Sequence, residues 1–231
     1  MNFLVIQHLE IEPPALISEI LEQAGHRLIT VHLDQGDIIP EPSEFDGIVI
    51  MGGPQSANDN TDYIKDELTR LKALIKQDIP MLGICLGAQM MAKACGAEIF
   101  ISPVRELGWF PVYHSNETAN DPLFKHLPDG LLVFQWHGES FSFNNAMTPV
   151  ATHPDVPAQA FRLGKNQYGL QFHIEVDESI IETWIAFGQS EREHLGQKGI
   201  RQLQTDTCMY LESMQDFCRQ MLHAWLTEVR S

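Results

Sequence analysis

The segment IPMLGICLGAQMMAKACG, residues 79–96, passes from an apolar run of strand length into a run of helical composition. Cys85 lies where the two meet, two residues after Gly83 and two residues before Gly87. This arrangement is typical of a sharp strand-to-helix turn that projects a nucleophile from the carboxyl edge of a sheet, where the helix N-terminus favours a thiolate. Glycines suit the flanking positions because a Cβ there would crowd the turn. A buried, inert cysteine is the alternative, and the short pattern alone does not decide between the two.

The first hundred residues alternate between strand and helix patterns throughout. Apolar runs of strand length cover residues 3–7, 26–33, 46–53 and 79–85. One helical pattern opens at Pro13-Pro14 and ends near Gly25, and another covers residues 63–76. This alternation predicts an α/β fold with an open, mostly parallel, flavodoxin-like sheet and helices on both faces. Residues 97–172 contain short β-like segments broken by Gly, Pro and Asn, which predict an antiparallel extension of that sheet.

The C-terminal part of the sequence predicts two helices. Residues 180–185 have a helical pattern, residues 190–199 are polar and are interpreted as a connection, and an apolar stripe at helical spacing then runs from Leu203 to Trp225. We therefore predict one domain over residues 1–188, followed over residues 189–231 by a linker and an amphipathic helix packed on the same domain. A partner-docking surface is the alternative, but most amphipathic helices pack against their own core.

The segment YGLQFHIEV, residues 168–176, supplies a candidate base. His173 and Glu175 occupy alternate positions at the predicted end of a strand, so their side chains share one face. The carboxylate can then accept a hydrogen bond from one imidazole nitrogen while the other nitrogen faces a thiol. Taken alone, such a pair is more often a solvent-facing polar pair; its position after a strand in the same sheet as Cys85 favours the catalytic interpretation.

The segment MGGPQSA, residues 51–57, supplies candidate backbone donors. Gly52 and Gly53 follow an apolar strand, and bare N–H groups at this edge of the sheet could stabilise the oxyanion of a tetrahedral intermediate. The N–H of Leu86, directly after Cys85, would be the second donor. A plain turn remains the alternative for this segment.

Composition limits the classes of partner. The chain has 15 Lys and Arg against 31 Asp and Glu, a formal charge of −16, so we expect neither nucleic acid nor an anionic membrane surface as a partner. No run reaches the roughly 18 unbroken apolar residues of a membrane span. The first residues lack the basic and small-residue features of a signal peptide, and the four cysteines do not form the pattern of a disulfide framework, which together favour a cytosolic protein with reduced thiols.

No cofactor is expected from the sequence. Paired CxxC, HExxH and other metal-ligand spacings are absent, and so are the glycine-rich phosphate loops GxxxxGK[ST] and GxGxxG. We therefore predict neither a metal site nor a bound nucleotide.

Three motifs together carry a resemblance to a known family. GGPQSA (residues 52–57), GICLGAQ (residues 83–89) and GLQFHIEV (residues 169–176) resemble the class I, or triad, glutamine amidotransferases in order and in spacing. RELGWFPV (residues 105–112) and FQWHGESF (residues 134–141) resemble more narrowly the stand-alone GMP synthase-like glutamine amidotransferases. The resemblance runs from the first strand to about residue 188.

The resemblance implies a role for each matching residue. Cys85 would be the nucleophile, His173 the general base and then the acid, and Glu175 the residue that orients it. The N–H groups of Gly53 and Leu86 would form the oxyanion hole. The residues expected at the substrate are Gly52, Gln89, His137, Gly138 and Glu139. Ile174 departs from the family, in which proline is common, but its side chain should point away from the triad.

The implied reaction releases ammonia and glutamate from glutamine through a γ-glutamyl thioester. The sequence contains no SGGxDS-like pyrophosphatase loop, so three hypotheses remain. The chain is a subunit that serves a separate synthase, a free-standing hydrolase of γ-glutamyl amides or peptides, or a non-catalytic binding relative. The intact Cys, His and Glu argue against the third. The sequence leaves homo-oligomerisation open.

Overall fold

The computed structural model describes residues 1–41 and 44–230. Its strands are β1 Asn2–Gln7, β2 Arg27–His32, β3 Gly47–Ile50, β4 Met81–Ile84, β5 Ile99–His114, β6 Leu131–Phe141, β7 Thr148–Thr152, β8 Ala160–Leu163 and β9 Gln167–Leu170. Its α-helices are α1 Ala15–Gln23, α2 Asp62–Lys76, α3 Leu86–Ala94, α4 Glu178–Phe187 and α5 Gln189–Val229. Short 3₁₀ turns cover Leu33–Gln35 and Thr118–Asn120.

The described strands form one sheet in the order β2-β1-β3-β4-β9-β8-β7-β5-β6. The strands from β2 to β9 in this order are parallel, and β8, β7, β5 and β6 extend the sheet with antiparallel pairing. The predicted α/β fold with an antiparallel extension is therefore confirmed. One strand within residues 97–172 behaves differently from the prediction, because β9 returns to pair in parallel with β4.

The pairing of β4 with β9 brings two distant motifs together. Gly83 pairs with Gly169 and Ile84 with Leu170, so both strands end at the same edge of the sheet. The residue after β4 is Cys85, and the chain after β9 leads within a few residues to His173. Adjacent parallel strands with their carboxyl ends aligned thus define the place where a site can form.

Helices cover both faces of the sheet. One buried cluster joins the sheet to residues of α1, α4 and α5, and the other joins it to residues of α2 and α3. The central strands β3, β4 and β9 are buried along their whole length, which accounts for the continuous apolar sequences of β3 and β4.

The predicted polar connection at residues 190–199 is wrong, because α5 already begins at Gln189. Gly196 has φ 60° and ψ 175°, which is not helical, so α5 consists of two helical segments that meet at a kink there. The segment is rich in Glu, Arg and Gln, which are good helix formers, and its exposure to solvent explains the lack of an apolar stripe. The buried residues further along α5 include Leu203, Met214, Phe217, Met221, Leu222 and Trp225. The division of the chain at residue 188 stays a prediction, and residue 231 lies outside the described residues.

Among the described residues, no helix combines the length and the apolar character that crossing a bilayer requires.

At Gly87 the first turn of α3 packs closely against the backbone of β3, and a substitution there tests this packing. A Cβ on Gly87 would lie 2.2 Å from the carbonyl oxygen of Ile50, a backbone atom that cannot move aside. We expect Gly87→Ala to lower the free energy of unfolding by about 3 kcal/mol or more, measured by urea denaturation. Gly138→Ala is the matched control, since its Cβ would meet only Arg105 at 3.7 Å, and it should change stability by about 0.5 kcal/mol or less. Equal effects of the two substitutions would contradict the proposed packing of α3 against β3.

Candidate active site

Cys85 occupies a strained turn between β4 and α3. Its φ of 50° and ψ of −105° lie in a region that a residue with a Cβ adopts at a cost on the order of 1–3 kcal/mol. The turn is fixed by its own N–H, which donates to the carbonyl oxygen of Leu170 at 2.7 Å, and by its carbonyl, which accepts from the N–H of Gln89 at 3.0 Å. A Cβ on Gly83 would lie 2.7 Å from the carbonyl carbon of Gly87, so the predicted need for glycine is present in the geometry.

His173 and Glu175 lie beyond the end of β9 rather than within a strand. The N–H of His173 donates to the carbonyl of Phe134 at 2.8 Å, which anchors this segment to β6. His173 Nδ1 lies 2.7 Å from Glu175 Oε1, and both side chains are almost fully buried. Because Nδ1 faces a carboxylate, it carries a hydrogen and leaves Nε2 for Cys85. The indole of Trp184 packs edge-on against the imidazole, with 4.7 Å between ring centroids.

The charges around His173 favour its protonated form. Burial opposes a charge on the imidazole and lowers its pKa, but Glu175 and Cys85 act in the other direction through their charges and hydrogen bonds. The pKa of His173 is consequently raised well above its ordinary value. Both partners therefore favour a proton on the imidazole, which lies within hydrogen-bond reach of the Cys85 sulfur.

Gly53 and Leu86 lie against each other beside Cys85. A Cβ on Gly53 would lie 3.0 Å from Leu86 Cδ2, and both residues line the cavity that contains the thiol. Gly52 lies on the other side of this loop, where a Cβ would come within 3.1 Å of His173 Cε1. The loop after β3 thus contacts both the base and the first turn of α3.

The other predicted substrate residues form a hydrogen-bonded frame. Gln89 Nε2 lies 3.1 Å from both the Glu139 carbonyl and Gln171 Oε1, and Gln171 Nε2 donates to Cys85 Sγ at 3.7 Å. His137 Nδ1 donates to the carbonyl of Glu139 at 3.0 Å. Gln89, His137, Gly138 and Glu139 all line the cavity.

A cavity of about 670 Å³ opens above Cys85. One wall is apolar and contains Trp136, Trp184 and Phe187. On the same side, Arg105 forms an ion pair with Glu191 and donates from Nη1 to Ser190 Oγ at 3.0 Å. Residues of the α4–α5 junction therefore complete the cavity.

Sequence reasoning missed three groups at this site. Glu12 lines the cavity beside His173, Gln171 contacts the thiol, and His8 pairs with Glu67 beneath the Gly52–Gly53 loop. The available signal was weak: His8 directly follows the buried strand β1 and Glu12 lies in the loop after it, the usual place for functional groups in an open α/β sheet. Within residues 1–41 and 44–230, no three His, Cys, Asp or Glu side chains are grouped so that they could hold a metal ion.

Glu12 is a carboxyl group with an unusual titration. Burial raises its pKa from 4.5 to about 7, with Glu175 adding to the rise and His173 and His8 opposing it. A raised folded pKa means that the folded chain keeps this proton after the unfolded chain has lost it. Ionisation of Glu12 therefore costs folding free energy increasingly as the pH rises from 4.5 to about 7, and the cost is constant above that.

Glu12→Gln removes this titration and keeps the shape of the side chain. The free energy of unfolding of the variant relative to that of the parent should increase by about 2 kcal/mol between about pH 5 and about pH 8. This value is smaller than the pKa shift alone implies, because water in the open cavity screens the charge of Glu12. Urea denaturation of both proteins at the two pH values measures the change. A relative stability that is independent of pH, or that falls as the pH rises, would contradict the raised pKa.

Comparison with known proteins identifies the family to which this chain belongs. Residues 15–188 match the family described as Glutamine amidotransferase class-I. The chain belongs to the class I glutamine amidotransferase family, and the resemblance predicted from its motifs is confirmed.

Individual relatives agree with this assignment. The glutamine amidotransferase-like protein YfeJ of Salmonella typhimurium is 30% identical over 176 residues, which cover 74% of each chain. GMP synthase [glutamine-hydrolyzing] of Bacillus pumilus is 36% identical over 135 residues, or 58% of this chain but only 25% of that enzyme. The crystal structure of a glutamine amidotransferase from Thermotoga maritima superposes with a TM-score of 0.87 at 30% identity, covering 100% of this chain and 99% of that one.

Proposed function

We propose that the protein hydrolyses the side-chain amide of glutamine through Cys85, His173 and Glu175, releasing ammonia and glutamate. One observation carries the proposal: a cysteine in a strained strand-to-helix turn interacts with a buried imidazole that Glu175 holds at 2.7 Å. Family membership supports glutamine as the substrate. The contacts of His173 with both Cys85 and Glu175 argue against the alternative of a non-catalytic binding relative.

The geometry supports acyl transfer in two halves. The thiolate of Cys85 attacks the γ-carbonyl carbon, and the imidazolium of His173 donates its proton to the departing nitrogen, so that ammonia leaves and a γ-glutamyl thioester forms. Neutral His173 then takes a proton from water as the water attacks the thioester, and the C–S bond breaks with the sulfur leaving as thiolate, so glutamate is released and the thiolate and imidazolium are regenerated. Glu175 keeps the proton on Nδ1 and stabilises the imidazolium at each stage.

Backbone N–H groups are the proposed oxyanion hole. The N–H of Gly53 and that of Leu86 come from residues that touch each other at the edge of the cavity. Leu86 is the first residue of α3, where the helix dipole also favours negative charge. In other enzymes one such donor lowers the barrier by about 3 kcal/mol.

Cys85→Ala tests the assignment of the nucleophile. Without the sulfur no thioester can form, so glutamate release from glutamine should fall by about 10⁴-fold or more while the fold is retained. The measurement is glutamate and ammonia release by the purified full chain, with circular dichroism as the check of folding. Cys208→Ala is the control, because Cys208 is an exposed thiol on α5 and its loss should leave activity unchanged. Hydrolysis that persists in Cys85→Ala and depends on Cys208 would overturn the assignment.

A free-standing γ-glutamyl peptide hydrolase is the second candidate, and the shape of the cavity favours it. The leaving group of glutamine is only ammonia, which needs little space. The wall beside His173 is nevertheless extended: it contains Trp136, Trp184 and Phe187 and continues to Arg105. The volume of about 670 Å³ lies in the range of about 300–1,000 Å³ that holds larger ligands. Arg105 is the one Lys or Arg side chain among the described residues that line the cavity. Its guanidinium already pairs with the Glu191 carboxylate, and the C-terminal carboxylate of a γ-glutamyl dipeptide would bind there by replacing Glu191.

Arg105→Gln separates the two substrates. With γ-glutamyl-leucine, the loss of a carboxylate-binding guanidinium should lower kcat/KM by about 10-fold, whereas glutamine has no carboxylate in its leaving group and should be affected much less. Steady-state kinetics of the parent and of Arg105→Gln with both substrates provide the measurement. A parallel decrease for both substrates would indicate damage to the site as a whole and would contradict the peptide assignment.

The use of the released ammonia is a further part of the proposal. The matched relative from Bacillus pumilus is a GMP synthase, and the aligned segment spans about a quarter of that enzyme. A separate synthase chain is therefore the proposed recipient of ammonia if glutamine is the physiological substrate. The cytoplasmic location expected from the sequence belongs to the same proposal.

A further inference from the structure

We propose that the buried pair His8–Glu67 is a positioning device that fixes the Gly52–Gly53 peptide and thereby aims the Gly53 N–H at the reacting carbonyl. The inference rests on the proposed function, because it assigns a purpose to His8 only if Gly53 is an oxyanion donor. Neither residue reaches the cavity that contains Cys85, so both would act through the loop.

The contacts of His8 join three parts of the chain. His8 directly follows β1, and its Nδ1 lies 3.0 Å from the carbonyl oxygen of Met51 and 3.2 Å from that of Gly52. On the other side of the ring, Nε2 lies 3.0 Å from Glu67 Oε2 and 3.3 Å from Oε1. Both side chains are completely buried.

The partners of the ring decide where its protons are. Both atoms that face Nδ1 are carbonyl oxygens, so Nδ1 carries a hydrogen and donates it. Nε2 faces a carboxylate, so a proton lies between His8 and Glu67. Burial lowers the pKa of His8, but Glu67 and the Gly52 carbonyl outweigh burial and raise the pKa above its ordinary value. The ring is thus a donor to the loop that Glu67 keeps in one orientation.

A bond to the Gly52 oxygen also fixes the Gly53 N–H. The two groups belong to one planar peptide unit and point in opposite directions, so holding one sets the direction of the other. Two consecutive glycines have unusual backbone freedom, and a loop that contains them needs restraint from outside. Gly53 contacts the side chain of Leu86, so the far side of this peptide unit is close to the turn at Cys85.

The placement of Glu67 argues against a purely stabilising role. Glu67 lies on the buried face of α2 with Ile64, Leu71 and Leu74, where an apolar side chain would pack without loss of hydration. Ion pairs in such positions are often no more stabilising than apolar side chains of similar size, because both charges must be removed from water. A pair of apolar side chains could not donate a hydrogen bond to the Gly52 carbonyl, whereas His8 can.

Two double variants isolate this donor. His8→Leu with Glu67→Met removes the pair as a unit and leaves no unpaired charge. His8→Asn with Glu67→Met removes the same ion pair but keeps an N–H donor near the position of Nδ1. The first variant should lose about 10- to 100-fold in kcat with little change in KM, as expected for a displaced oxyanion donor, and the second should recover most of that loss.

Three readouts make the result decisive. Alkylation of Cys85 by iodoacetamide needs no oxyanion hole, so its rate should be the same in the parent and in both folded variants. Equal kcat for the two double variants, or an effect confined to KM or to alkylation, would overturn the positioning role. If neither variant folds, the imidazole ¹⁵N signals of the parent protein still test the proposal, because an Nδ1 without a hydrogen would contradict it. A failure of the proposed function gives a different result from a failure of the positioning role. If the proposed function is wrong, the Cys85→Ala variant keeps the hydrolytic activity of the parent.

Discussion

The backbone conformation of Cys85 is the constraint on which the rest of the site depends. A residue with a Cβ occupies a positive φ there because the sheet and α3 hold it on both sides. Gly83 and Gly87 are needed for that approach, since a Cβ at either position would overlap with backbone atoms. The turn projects the sulfur beyond the carboxyl edge of the sheet, and the pairing of β4 with β9 brings His173 to the same edge. Strain in the turn is thereby offset by packing elsewhere in the fold.

The local sequence predicted the structural features that are determined by residues close together in the chain. The strand-to-helix turn, the glycine requirement, and the alternation of strands and helices all follow from short-range pattern. The parallel return of β9 to β4 could not be predicted in the same way, because it joins segments far apart in sequence. The polar segment 190–199 was misinterpreted for a different reason: an exposed helical turn has no apolar period to detect.

The site residues likewise fall into those that local sequence motifs identify and those that only the folded structure brings together. Cys85, His173 and Glu175 lie in motifs that can be recognised one at a time, although only the tertiary structure brings them together. His8 and Glu67 are separated by 59 residues and have no motif of their own, so their pairing emerges only in the folded chain. Glu12 likewise owes its raised pKa to burial in the folded chain, with a smaller contribution from Glu175, which no local pattern reports. The electrostatic interactions of these buried groups therefore depend on the tertiary structure and could not be predicted from the sequence.

The central claim is that Cys85, alone among the four cysteines, is an activated thiol beside a protonated imidazole. Burial raises the pKa of the Cys95 and Cys218 thiols, whereas Cys85 lies directly before the first residue of α3 and forms a hydrogen bond with His173. The most direct measurement is labelling of the full chain with a glutamine-analogue chloroketone, with the modified residue mapped by mass spectrometry. The account predicts a single label on Cys85, formed rapidly and prevented by excess glutamine. Labelling of Cys208 with Cys85 left unmodified would contradict it.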